Sequence, residues 1–129
     1  MKINHEFVEF VPVKNDMKYK TVYISIKYKT ASHLCMCGCG EVVVTPIKPN
    51  RWKIIFDGET ISLSPSIGNC NLKCHSHYWV DKSEVEFLKV FSNQECEDEI
   101  FYEKLALHSY KKKQKMIRKF LNKFKKNND

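Results

Sequence analysis

The chain has 129 residues, 22 Lys and Arg against 15 Asp and Glu, a formal charge of +7 and a pI near 9.1, a size that suits one domain with a modest core. No apolar run approaches the length of a membrane span, and MKINHEFVEF lacks the basic-then-apolar order of a secretion signal, so a cytoplasmic protein with no membrane partner is expected. The charge is also uneven: nine Lys or Arg and no acid lie between Lys111 and Lys126, whereas residues before Lys111 carry 13 basic and 14 acidic groups. A general nucleic-acid-binding surface is therefore not indicated for the body, and only the C-terminal segment has that electrostatic character.

In chain order, EFVEFVPV over 6–13 predicts a short strand, with Pro12 at an edge or end. Lys14-Asn15-Asp16 reads as a turn. KTVYISIKY then alternates, placing Val22, Ile24, Ile26 and Tyr28 on one face of a half-buried strand and Tyr23, Ser25 and Lys27 on the other. Short runs VVVTPI and WKIIF follow, separated by Pro46, Pro49 and Asn50. Asp57-Gly58 predicts a hairpin into TISLS, and Pro65–Asn69 a loop. Tyr78–Val80 begins a strand, Asp81–Ser83 turns, and Val85, Phe87 and Leu88 suggest a last strand. From Ser92 the period becomes helical. Ser92 and Glu95 form a capping box, Glu97, Asp98 and Glu99 suit the positive helix end, and Ile100, Leu107, Tyr110, Ile117, Leu121 and Phe124 draw one apolar stripe. That helix either packs on the sheet with a solvated basic face or serves as a docking arm for an acidic partner, a nucleic-acid contact or an interfacial membrane helix.

The stretch LCMCGCGE places Cys35, Cys37 and Cys39 at alternate positions, with Gly38 and Gly40 able to take the positive φ that curls sulfurs around one centre. After 34 intervening residues comes Cys74-His75-Ser76-His77, whose CxxH spacing suits a metal knuckle. Zinc takes thiolate and imidazole ligands in a tetrahedron, and Cys35, Cys37, Cys39, Cys74 and His77 offer five, one more than it can hold. Six cysteines suffice for three disulfides, but the CxCxC crowding and a reducing compartment favour metal binding. The expected fold class is α+β: a small antiparallel β-sheet core with a zinc site over residues 1–91, and a long basic C-terminal helix over 92–129 packed on it or extending from it.

Between Tyr23 and Phe87 the motifs HLCMCGCGEVVV, DGETISLSPSIGN and CHSHYWV resemble, in order and spacing, a bacterial family catalogued as domain of unknown function 6527. Cys70 stands where an aromatic is usual and His75 where Arg is usual. The resemblance implies a small zinc peptidase of bacterial ubiquitin-like conjugation operons linked to defence against phage. Its implied partners are a ubiquitin-like protein, its conjugates, and E1- and E2-like enzymes, and the implied reaction is cleavage after the ubiquitin-like C-terminus. A hydrolytic zinc needs an open position for water, a general base and oxyanion donors. Glu41, immediately after the ligand loop, is the candidate base, and Ser66 and Ser76 are candidate donors. The alternative is a non-enzymatic zinc-ribbon-like module that binds protein or nucleic acid through the basic helix. A serine or cysteine nucleophile is a further possibility, with no ordered triad legible in the sequence.

Overall fold

Among the described residues, eight strands form two four-stranded sheets. The computed structural model describes the backbone of residues 1–128 and the side chains of 1–125. The first sheet runs in the order β1 (Asn4–Phe7), β2 (Thr21–Ser25), β3 (Thr30–Leu34), β4 (Val42–Pro46). The second runs β5 (Lys53–Phe56), β6 (Ile61–Gly68), β7 (His77–Asp81), β8 (Glu84–Phe87). One helix, α1 (Asn93–Asn128), follows. The α+β class therefore holds, with two sheets rather than one and with β1 pairing parallel to β2 while every other pair is antiparallel.

A single buried cluster draws Val22, Ile24, Ala31 and Val43 from the first sheet and Ile61, Leu63, Ile67, Tyr78 and Val80 from the second. Each fully buried side chain of this size contributes roughly 1.5–3 kcal/mol of apolar transfer, so the two sheets stabilise one another through a shared core.

The alternation expected across 20–28 is replaced by something denser. All five residues of β2 are buried. The segment before the strand covers its second face: the Lys18 N–H donates to Tyr23 Oη at 2.8 Å, and Ser25 Oγ donates to the Glu9 carbonyl at 2.7 Å. Ile26 and Tyr28 lie beyond the strand in a tight turn and are exposed, and Thr30–Leu34, which carries no period-two signal, is the returning strand β3. The first strand is also earlier than expected, at Asn4–Phe7 rather than 6–13.

The Asp57-Gly58 hairpin forms as its chemistry requires. The Asp57 carboxylate accepts from the Glu59 and Thr60 N–H groups and the Thr60 hydroxyl, which lowers its pKa to about 2, and Gly58 takes φ +104°. Beyond it, Pro65–Asn69 is not the expected loop, because β6 continues through Gly68. The register shifts between Leu63 and Ile67: β6 advances four residues where β7, from Val80 to Tyr78, advances two. Such an irregularity re-aims side chains out of the ladder. Ser66 sits inside it.

Ser92 caps α1, its Oγ accepting from the Glu95 N–H at 3.1 Å. A Cys70–Cys96 disulfide, with Cα atoms 5.2 Å apart, ties the first turns of α1 to the segment after β6. Two of the six cysteines are thus bonded to each other, against the expectation of no disulfide, because the chain folds α1 back to the end of β6 across 26 residues. Among the described residues, no helix is long and apolar enough to cross a membrane.

Candidate active site and thiol cluster

The glycine-punctuated loop after β3 does what its sequence suggests. Gly38 and Gly40 take φ +89° and +83°, the Gly38 N–H donates to the Cys35 carbonyl at 3.0 Å, and the Cys35 N–H donates to the Glu41 carbonyl at 2.8 Å. Cys35, Cys37, Cys39 and Cys74 are brought together with every sulfur within 4.8 Å of the others. Cys35 Sγ lies 3.4 Å from Cys37 Sγ and 3.9 Å from Cys74 Sγ, and Cys39 Sγ lies 3.9 Å from Cys74 Sγ. A tetrahedron with metal–sulfur bonds of ~2.3 Å has sulfur–sulfur edges of ~3.8 Å, so four thiols at these distances fit a metal ion.

The thiols differ in proton affinity. Desolvation, aided by the hydrogen bond with Cys35, pushes the Cys37 thiol up to about 12, and desolvation also raises Cys39. Desolvation raises Cys74 as well, but hydrogen bonds from the Ser76 hydroxyl and backbone and from the neighbouring thiols outweigh it and bring Cys74 down to about 7. Four mutually adjacent thiolates need a cation to coexist.

Ser76 belongs to this cluster. Its buried Oγ is 3.1 Å from Cys35 Sγ and 3.3 Å from Cys74 Sγ and accepts from Asn69 Nδ2 at 2.9 Å. Asn69 Nδ2 also lies 3.4 Å from Tyr78 Oη, which is 2.7 Å from His33 Nε2. Burial holds His33 neutral, with a pKa lowered to about 4, and burial raises the Tyr78 phenol. Glu41 is exposed, with its carboxylate 3.6 Å from Lys14 Nζ.

His77, expected as the fifth candidate ligand, points elsewhere. Its Nε2 lies 2.9 Å from Ser66 Oγ, and its ring stacks on Phe91 at 4.3 Å with the planes 20° apart. Phe91 is fixed in turn by His75: the Phe91 N–H donates to the His75 carbonyl at 3.1 Å, and His75 Nδ1 is 3.3 Å from the Phe91 carbonyl. The ring also fills the space above Gly68, where a Cβ would stand 2.5 Å from Phe91 Cε2. A cavity of about 590 Å³ opens over this pair, with Trp52, Ser66, Gly68, His77 and Phe91 on one side and Glu99, Ile100, Glu103 and Leu107 of α1 on the other. Sequence reasoning missed the role of Phe91, since nothing in VFSNQE marks it, and missed the pairing of Ser66 with His77, which are separated by 11 positions.

A serine hydroxyl within hydrogen-bond reach of an imidazole, at the edge of a cleft, can serve as a nucleophile with its base. A protein-family profile described as "Bacterial ubiquitination-like system serine protease (BubE)" matches residues 7–88. The chain belongs to this family. No curated protein and no solved structure gives a match. The BubE family assignment keeps the protease role in a ubiquitin-like system and corrects the zinc-dependent mechanism expected from the sequence, because the family is one of serine proteases. The geometry agrees: an ion held by all four thiols would have its tetrahedral positions filled and none open to a reacting water, while Ser66 and His77 pair with each other instead.

Proposed function

We propose that Ser66 is the nucleophile and His77 the general base of a serine peptidase that cleaves after the C-terminus of a bacterial ubiquitin-like protein, in maturation, deconjugation or both. The observation that carries this reading is the 2.9 Å contact between Ser66 Oγ and His77 Nε2 at the cleft. In the reaction, Ser66 Oγ attacks the scissile carbonyl as His77 Nε2 takes its proton. The same nitrogen then gives that proton to the leaving amine, and water hydrolyses the acyl-enzyme by the reverse proton path. The Ser66 N–H, in the stretch where the β6–β7 ladder is interrupted, is the candidate donor to the oxyanion. Phe91 orients the imidazole by stacking, and its ring stands against Gly68, where no side chain competes for the space. Partners of this activity are the ubiquitin-like protein and its conjugates.

Cys35, Cys37, Cys39 and Cys74 hold zinc in this reading, and the metal supplies a structural cross-link between the loop after β3 and the turn before β7. Ser76 and Asn69 support the thiolates, and Glu41 is a solvated residue at the start of the outgoing chain. The test is digestion of a C-terminally extended ubiquitin-like protein from such a system by the zinc-loaded chain, alongside labelling with a fluorophosphonate. Ser66→Ala is expected to lose both cleavage and label while keeping its zinc, and cleavage retained by Ser66→Ala would overturn the assignment.

A further inference from the structure

The second half of α1 serves no part of the site described above. Every described side chain from 111 to 125 is exposed. These include Met116 at 64%, Phe120 at 69% and Leu121 at 52% exposure, large apolar groups that water solvates poorly. At about 100° per residue, Met116, Ile117, Phe120 and Leu121 share one arc of about 140°. Lys111, Lys112, Lys115, Arg118, Lys119, Lys123 and Lys125 occupy the rest of the circumference on both flanks of that arc, and only Lys113 falls within it. No acidic residue lies between Lys104 and Asn128.

We propose that this segment is an interfacial helix that lies flat on an anionic lipid surface, its Met116–Ile117–Phe120–Leu121 face among the acyl chains and its flanking cations at the headgroups. Two features of the helix select lipid among acidic partners. A nucleic acid neutralises the cations but leaves the aromatic and aliphatic face in water. The charges on both flanks of a single apolar arc match a planar surface with an anionic skin over an apolar interior, which is the composition that places amphipathic helices in a headgroup layer. The segment rests on the membrane without crossing it, because no described helix is long and apolar enough to span. It reverses the expectation of no membrane partner, and it does not depend on the peptidase assignment.

The experiment is flotation of the full chain with vesicles of phosphatidylcholine alone or mixed with phosphatidylglycerol, at low and high salt. Binding is expected with the anionic vesicles only, weakened by salt. It should be weakened roughly fivefold for each lysine neutralised in Lys115→Gln and Lys119→Gln, and abolished by Phe120→Glu. Circular dichroism would show that these exposed substitutions leave the fold intact. Three outcomes would overturn the proposal: no binding to anionic vesicles, binding equal in Phe120→Glu, or capture by duplex DNA tighter than by vesicles and indifferent to Phe120→Glu.

Discussion

Two sites share the four residues Cys74-His75-Ser76-His77 and divide them by direction. Cys74 and Ser76 face the thiol cluster, whereas His75 and His77 face Phe91 and the cleft. Entry into a strand sends successive side chains to opposite sides, so residues three apart, such as Cys74 and His77, part company. One is built of four sulfurs around a common centre; the other is built of ring stacking and one hydrogen bond at the edge of the cleft, and in the proposed reading the first supplies cohesion and the second chemistry. The comparison teaches that ligand spacing along a chain states which residue types are available and leaves their direction to the backbone.

The largest effect should come from the Ser66–His77 site. Ser66→Ala is expected to lower kcat by roughly four orders of magnitude, read in a cleavage assay, with thermal unfolding unchanged. The thiol site should respond in the opposite manner. Cys74→Ser, or removal of the metal by chelation, is expected to reduce stability by on the order of several kcal/mol and to abolish stoichiometric metal in elemental analysis. If Cys74→Ser instead left the fold intact and removed only activity, the division between a cohesive site and a reactive one would fail.

Reduction of Cys70–Cys96 tests how α1 is held over the cleft. Opening a 26-residue loop should reduce stability by about 3.5 kcal/mol on the chain-entropy account, visible as a lower denaturant midpoint in Cys96→Ser. A further effect runs through His33, buried beside the thiol loop. Its pKa is depressed by burial from 6.5 to about 4, so the neutral ring's contribution is complete above 6.5 and is lost as pH falls toward 4. The loss amounts to ~3 kcal/mol, and His33→Gln should flatten that part of a stability–pH curve measured by chemical denaturation. The smallest effect expected is that of Gly68→Ala. Its Cβ would press Phe91 from 2.5 Å, tilt the ring stacked on His77, and lower kcat roughly tenfold with little change in KM, and Phe91→Leu, which removes the stacked ring, should lower kcat comparably. A double variant no worse than either single one would sharpen the view of Phe91 as a positioning residue, and full activity in Phe91→Leu would end it.

Much of this was legible in the residues. The glycine-spaced cysteine loop, the Asp57-Gly58 hairpin, the Ser92 cap, the α+β class and the kinship with peptidases of ubiquitin-like systems all rest on local chemistry or on motif order, which a sequence displays directly. Strand β3 was hidden because Thr30–Leu34 has no alternation, and the buried second face of β2 depends on a preceding segment that folds back over it.

The sequence by itself determined which groups are present: four thiols that can converge, a serine and a histidine in separate motifs, and a basic amphipathic C-terminal stretch. Only the tertiary structure decided their grouping. Across the β6–β7 pair Gly68 stands opposite His77, and Ser66, in the irregular stretch just before it, brings its Oγ to 2.9 Å from the imidazole on which Phe91 stacks, since contacts between elements are set by packing across the sheets and not by distance along the chain.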